Sequence, residues 1–313
     1  MKKFAAPLAL LVTFVMSLTA CTASGPTPAT KGPVVVGSKI DTEGALLSQM
    51  IMQMLSANGF QITDKAQFGT TPIVRKAIIS GDLDIYPEYT GNGAFFFNEA
   101  DSPVWKNAQQ GYDEVKKLDK AQNNIDWLQP APANNTWAIA VTKALATQQN
   151  LKTLDDFAAY VNKGGNVKLI GSQEFITSDA ALPAFQKAYG FTLKSDQLVS
   201  VASGDTAQTE KAASDGTSGV NACMAYGTDG GLSAFGLVVL SDPKGAQPVY
   251  EPAPIVRDAV LSKYPEIANI LNPVFKTLDL TTLQGLNAQI QVQGKNAKDV
   301  AHTYLVSKKF LSQ

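Results

Sequence analysis

Apolar runs alternate with amphipathic runs along most of the chain, and this alternation predicts strands and helices in turn. Residues 34–38, VVVGS, form a short apolar run that is typical of a buried strand. Residues 41–59 carry apolar side chains on one broad helical face and end in an Asn-Gly pair, so they predict a helix with Asp41 or Thr42 as its N-cap. This order of elements favours an α/β fold with mainly parallel strands.

A second unit of the same kind follows directly. Its pattern predicts a short strand near 60–63, a helix over 69–82 with Thr71 as its cap, and a third strand at 83–86. Tyr89 therefore lies just past the carboxyl end of a strand, which is the edge where open α/β sheets bind ligands.

The pattern returns in the second half of the chain, from about residue 153. Helices are predicted after Thr153 and over 178–190 and 204–216, and strands at 166–172, at 197–202 and before Tyr226. Here too a strand ends in a tyrosine that a glycine-containing turn follows. Two such units would face each other across a cleft.

Two extended, proline-rich segments, 130–143 and 247–260, are suited to carry the chain from one unit to the other and back. We therefore predict a two-lobed type II periplasmic binding protein, with two crossover strands and a ligand cleft between the lobes. Lobe I is predicted to comprise 34–136 plus 246–313, and lobe II 137–245.

The N-terminus predicts export. Residues 1–20 have a positive start and an apolar core too short to span a bilayer, as signal peptides do. Cys21 follows directly, as in a bacterial lipobox, so we expect it to be lipidated; the alternative is an ordinary signal with an accidental cysteine. Residues 21–33 are small, polar and rich in proline and glycine, which predicts a lipidated linker. The mature protein is expected in the periplasm, with the lipid as its only attachment to the membrane.

Composition excludes several kinds of chemistry. The net charge is −1 and no basic patch follows a helix, so nucleic acid is not an expected partner. His302 is the only histidine and Cys223 the only cysteine besides Cys21, so a catalytic triad or a zinc site lacks its usual residues. We expect no enzyme activity, no metal and no cofactor.

Four aromatic residues are expected at strand exits or lobe crossings, namely Tyr89, Trp137, Tyr226 and Tyr250. Aromatic faces attract a cation that cannot donate hydrogen bonds, such as a quaternary ammonium group, with about 0.5–2 kcal/mol from each ring. The alternative for each single ring is packing in the core or at the edge of a lobe.

Six segments of the chain, read together, resemble the glycine betaine and choline-binding proteins of osmoprotectant ABC transporters. These segments are VGSKIDTEG, SGDLDIYPEYTGNG, PAPANNTWAIAV, SQEF, MAYGTDGG and VYEPAPIVR. The resemblance covers essentially the whole mature chain. It implies a monomeric protein that responds to osmotic stress by capturing a betaine or choline and delivering it to the transmembrane subunits of an ABC permease.

The resemblance also implies site residues. The aromatic cage corresponds to Tyr89, Trp137, Tyr226 and Tyr250, and the polar contacts of the family fall on Lys39 and Asn135. Thr42 at a helix N-terminus, Asn92, Glu174 and Asp229 are further candidate polar contacts, although Asp229 is expected first of all to cap the helix that follows it. Two positions depart from the family pattern, because Asn92 stands where relatives often have a threonine and Ser178 where they tend to have an arginine. Since serine supplies one neutral donor instead of a charged fork, we expect weaker glycine betaine binding or a different zwitterionic ligand.

Three alternatives remain open at the level of sequence. An amino-acid-binding protein of an ABC importer would need charged partners for an α-ammonium group, and the predicted wall offers mainly Glu174 and Asp229. A lipoprotein hydrolase or transferase would have to rely on a pair of carboxylates. A ligand-gated sensor that docks to a membrane receptor fits the same pattern.

Overall fold

The computed structural model describes residues 1–2, 31–202 and 206–312. Residues 3–30, with most of the predicted signal peptide and linker and with Cys21, lie outside the described residues, and the predictions about them are not tested by the fold. In the part of the chain that is described, no helix has the length and apolar character that a membrane crossing requires.

The described residues form ten strands and fourteen α-helices. The strands are β1 Lys31–Lys39, β2 Phe60–Gly69, β3 Ile85–Tyr89, β4 Ile125–Trp127, β5 Trp137–Thr142, β6 Leu169–Ser172, β7 Leu198–Val201, β8 Ala222–Tyr226, β9 Leu237–Val239 and β10 Pro252–Arg257. The helices are α1 Thr42–Ala57, α2 Thr71–Ser80, α3 Gly93–Phe96, α4 Ala108–Asn123, α5 Lys143–Gln149, α6 Leu154–Asn162, α7 Gln173–Thr177, α8 Leu182–Tyr189, α9 Thr206–Asp215, α10 Gly230–Ala234, α11 Asp258–Lys263, α12 Glu266–Phe275, α13 Leu280–Gln291 and α14 Ala297–Ser307.

The strands form two five-stranded sheets with the same plan. The first sheet has the order β2-β1-β3-β10-β4, and the second has the order β7-β6-β8-β5-β9. In each, three neighbouring strands are parallel, and the fourth, β10 or β5, runs antiparallel to both of its neighbours. These two antiparallel strands directly follow the segments in which the chain passes between the sheets. The predicted α/β fold with two crossover strands is confirmed.

Local signals set most helix starts. Asp41 caps α1 by accepting a hydrogen bond from the amide of Gly44 at 2.6 Å, and Thr153 caps α6 in a capping box with Asp156. At α2 the predicted cap was wrong by one position. Thr70 is the N-cap and Thr71 is the first helical residue, so the helix begins one residue earlier in the chain than the sequence indicated.

Each sheet has a hydrophobic core on its faces. The apolar face of α1 packs with residues of α12, α13 and α14 in one cluster beside the first sheet. A separate cluster beside the second sheet joins β5, β6 and β8 to α6 and α8. Two further clusters, one beside each sheet, complete the packing, so each sheet has its own hydrophobic core, as two lobes require.

Helix α13 connects the two halves. Its Leu283 and Leu286 belong to the core around the first sheet, whereas its Gln291 side chain accepts a hydrogen bond from the amide of Gly230 at the start of α10. A Cβ atom at position 230 would overlap the backbone nitrogen of Ala288. The absence of a side chain at Gly230 therefore lets α10, which follows the second sheet, lie directly on α13.

We predict that Gly230→Ala lowers the free energy of unfolding by about 1–3 kcal/mol, because the added methyl group must push α10 away from α13. Chemical denaturation of the purified protein measures this change.

Gly285→Ala is the matched control on α13, since no atom lies within 4 Å of a Cβ built there. It should leave stability unchanged or raise it by about 0.5–1 kcal/mol, as alanine does in a helix interior. Equal stabilities for the two variants would show that α10 and α13 are not in tight contact.

Candidate functional site

A cavity of about 930 Å³ is lined by residues that follow strands of both sheets. The four predicted cage residues all contribute to its wall, and so do five of the six predicted polar residues. The lining includes Lys39, Thr42, Tyr89, Asn92, Asn135, Trp137, Tyr226, Asp229 and Tyr250.

The second sheet supplies two of the rings. Trp137 begins β5 and pairs in register with Tyr226 at the end of β8. Their rings are stacked, with centroids 6.3 Å apart and an interplanar angle of 19°. Phe175 meets Trp137 edge-on from the buried side at 6.2 Å. Register pairing and this packing fix two half-buried aromatic side chains side by side in the cavity wall.

Tyr250 lies two residues before β10, on the segment that returns to the first sheet. Its amide donates to Asn134 Oδ1, and its carbonyl accepts from the amide of Asn135, both at 2.8 Å. The two crossing segments are thus joined to each other. Gly91 packs against the Tyr250 ring so closely that a Cβ atom there would lie 2.9 Å from ring carbons. Burial raises the pKa of the Tyr250 phenol well above its usual value, so the ring stays neutral.

Tyr89 ends β3 and is only 6% exposed. The Lys39 ammonium lies 4.6 Å from its ring centroid, so an internal cation already covers one face of the ring. The phenol donates a hydrogen bond to Glu43 Oε1 at 2.9 Å. Burial, followed by the nearby Glu43 charge, raises the pKa of Tyr89 well above its usual value.

Glu88 is fully buried and holds several groups that were predicted to contact the ligand. Its carboxylate accepts hydrogen bonds from Lys39 Nζ at 2.6 Å, Asn92 Nδ2 at 2.7 Å, the amide of Tyr89 at 2.7 Å and the Tyr86 hydroxyl at 2.8 Å. Glu88 lies inside β3 and is an internal anion. Lys39 and Asn92 are therefore already engaged with a carboxylate of the protein itself.

Glu43, a residue that the sequence reasoning did not select, lies in the cavity wall and is 5% exposed. It accepts hydrogen bonds from Tyr89, from Asn135 Nδ2 at 3.2 Å and from Asn287 Nδ2 at 2.7 Å. Burial raises the pKa of its carboxyl to about 7, although hydrogen bonds from Thr228, Asn287 and Tyr89 act in the opposite direction.

A signal for Glu43 was present in the sequence. Position 43 is followed by Leu46, Leu47 and Met50 at spacings of three, four and seven residues, which is the spacing of one helical face. All four side chains are buried. A carboxylate that starts an otherwise apolar helical face is a candidate site residue.

The remaining predicted residues divide into those inside and those outside the cavity. Thr42 is the first residue of α1 and lines it. Asp229 also lines it, and its carboxylate accepts the amide of Tyr226 at 2.6 Å instead of capping the first turn of α10. Glu174 is exposed at the start of α7 and, like Ser178, is not among the lining residues.

The side chains considered for nucleophilic or metal chemistry lie away from the cavity. Cys223 is buried, and His302 is exposed on α14 and hydrogen-bonded to Gln53; neither lines the cavity. Within residues 1–2, 31–202 and 206–312, no group of three or more His, Cys, Asp or Glu side chains is suited to hold a metal ion. Aromatic rings attract an organic cation, and four of them line this cavity.

The comparisons with known proteins agree with this geometry. A family model described as the substrate-binding domain of ABC-type glycine betaine transport systems matches residues 32–307. The glycine betaine-binding protein YehZ of Escherichia coli K12 is 60% identical over 276 residues, which cover 88% of this chain and 90% of the relative. A glycine-betaine-binding protein of Pseudomonas aeruginosa is 31% identical over 276 residues, or 86% of each chain.

The solved structure of apo YehZ from Escherichia coli has the same fold. It superposes with a TM-score of 0.84 at 59% identity, over 90% of this chain and 100% of that one. Together with the match over residues 32–307, this establishes the family. The chain belongs to the substrate-binding domains of ABC-type glycine betaine transport systems.

Proposed function

We propose that this protein captures a quaternary ammonium osmolyte, namely glycine betaine, choline or a related betaine, and delivers it to an ABC permease. The observation that carries the proposal is that Tyr89, Trp137, Tyr226 and Tyr250 line one cavity although they come from two sheets. Such rings attract a methylated ammonium group, which offers no hydrogen-bond donor on nitrogen. Relatives that are named for glycine betaine binding support the same ligand class over an amino acid.

The two halves of the cage have different parts in this proposal. Trp137 and Tyr226 form a stacked pair that presents a broad aromatic wall. Tyr250 and Tyr89 come from the side of the first sheet, and Lys39 already covers one face of Tyr89. Movement of the lobes would close these walls around the ligand, and the loss of water would strengthen the attraction between cation and rings.

Recognition of a ligand carboxylate is expected to be weak. Lys39 and Asn92 are both hydrogen-bonded to Glu88, and Asp41 already occupies the amide of Gly44 in the first turn of α1. A ligand carboxylate at either place would compete with a carboxylate of the protein. In addition, Ser178 stands where relatives tend to have an arginine, so a charged donor for the ligand carboxylate is missing there. We therefore propose that the cationic end of the ligand supplies most of the affinity.

The cellular setting of the proposal follows the family. Substrate-binding proteins of ABC importers act outside the cytoplasm. We propose that residues 1–20 direct export, that Cys21 carries a lipid anchor, and that the mature protein is a monomer that binds its ligand without transforming it.

We predict that glycine betaine, choline and related betaines change the intrinsic tryptophan fluorescence, whereas equal concentrations of leucine or glutamate leave it unchanged. Trp137 lines the cavity, and a bound cation would alter its surroundings. Titration of the purified protein with each compound measures the shift.

Trp137→Phe is the control for this signal. Trp105 and Trp127 are each 1% exposed and do not line the cavity, so they contribute a constant background. The shift should disappear in the variant. A response to amino acids without a response to betaines would reject the proposed ligand class.

We predict that Tyr250→Leu weakens glycine betaine binding by about 2- to 30-fold, which corresponds to the 0.5–2 kcal/mol that one ring contributes. Tyr250→Phe keeps the ring and should retain most of the affinity. Isothermal titration calorimetry measures both variants.

The comparison between these two variants separates a ring contact from general packing. If the leucine and phenylalanine variants bind equally well, Tyr250 is not part of the cage.

A further inference from the structure

We propose that the Glu43 carboxylate is the counter-ion of the ligand's cationic group, and that the protein releases a proton from Glu43 when this ligand binds. This inference rests on the proposed function, since it needs a cationic ligand in the cavity. It adds a charged partner to the aromatic cage and makes affinity depend on pH.

The first support is that Glu43 is a buried carboxylate without a cationic partner. Its hydrogen-bond donors, Tyr89, Asn135, Asn287 and Thr228, are all neutral. Among the residues that the structure describes, no lysine, arginine or histidine forms an ion pair with it. A buried charge of this kind is costly unless a partner of opposite sign arrives.

The second support is the contrast with Glu88. Both carboxylates lie near Tyr89, but Glu88 has the ammonium of Lys39 at 2.6 Å and Glu43 has no such partner. Glu88 is therefore neutralised by the protein itself. Glu43 is left to be neutralised by a proton or by a ligand.

The third support is the position of Glu43 in the fold. Glu43 lines the same cavity as the four rings and is hydrogen-bonded to the phenol of Tyr89. Asn287, another of its donors, also donates to the carbonyl of Thr228, which follows the second sheet. Glu43 thus lies where both halves of the molecule meet around the ligand cavity.

The groups around Glu43 leave its charge uncompensated. Asp41 at the start of the same helix raises its pKa further, and Tyr89 from β3 is neutral. Lys39 from β1 is paired with Glu88, and the cavity wall also carries the carboxylates of Asp41, Asp101, Asp179 and Asp229. The face of α1 that packs on α12 and α14 is apolar.

The direction of the pH effect follows from the pKa of about 7 in the unliganded protein. A cation within about 4–6 Å favours the ionised carboxylate and lowers its pKa by roughly 1–3 units. Binding then favours the deprotonated form, so protons leave as the ligand enters. Affinity should rise with pH and level off above pH 7, giving binding roughly five- to ten-fold tighter at pH 8 than at pH 6.

The experiment is isothermal titration calorimetry of the full-length mature protein with glycine betaine and, separately, with choline, at several pH values between 6 and 8. Titrations at pH 7 in buffers of different ionisation enthalpy count the protons. We expect roughly 0.4–0.5 proton released per ligand at pH 7. Choline must show the same release, because it has no carboxylate whose contacts could account for it.

Glu43→Gln keeps a hydrogen-bond acceptor and removes the charge. It should bind more weakly at pH 8, release no proton and lose the dependence on pH. Asp41→Asn is the matched control, since it removes an exposed carboxylate from the same end of α1 and keeps a good N-cap. It should retain the pH dependence, with its midpoint slightly lower because the Asp41 charge is gone.

Each possible result either supports or overturns the inference about Glu43. Binding of both ligands with no proton release, or with proton uptake, overturns the inference for the wild-type protein even if Glu43→Gln does not fold. A dependence on pH that persists in Glu43→Gln overturns it as well. Absence of binding at every pH would reject the proposed function instead, so the two failures are distinguishable.

Discussion

Two antiparallel strands, β5 and β10, determine where the aromatic rings of this protein lie. Each is inserted beside the third parallel strand of its sheet, so the chain passes from one sheet to the other twice. The pairing of β5 with β8 places Trp137 next to Tyr226. The segment before β10 is hydrogen-bonded to the segment before β5, which brings Tyr250 to the same cavity. The site follows from this double connection, because neither sheet carries all of the rings.

Charge is distributed around the cavity in an uneven way. One carboxylate, Glu88, accepts hydrogen bonds from Lys39 and Asn92, so its charge is already paired within the protein. A second, Glu43, is held only by neutral donors. Among the described residues, the cavity wall carries Lys39 and Lys106 against five carboxylates, and Lys39 is already paired with Glu88, so the wall favours a ligand cation over a ligand carboxylate. This balance agrees with an aromatic cage, since rings and an unpaired carboxylate both favour a positive group.

Much of the fold could be predicted from the sequence, since local periodicity and capping define elements such as α1 and α6. The cage residues could be proposed because strand ends are visible in the same patterns. The partner of Lys39 could not be predicted, because Glu88 is 49 positions away in the chain and meets Lys39 only through the pairing of β1 with β3. Glu43 was missed although helical spacing placed it on the buried face, since a glutamate in a first turn is usually a solvated, helix-stabilising residue.

If the aromatic rings hold a positive charge and do not merely enclose an apolar group of the same shape, a charged ligand should bind more tightly than an uncharged ligand of equal shape. Calorimetric titration with choline and with its uncharged carbon isostere, in which a tert-butyl group replaces the trimethylammonium group, separates these two cases. Choline should bind at least about tenfold more tightly than the isostere, since several rings and a carboxylate act on the charge. Equal affinities for the two compounds would show that the rings do not act on the charge.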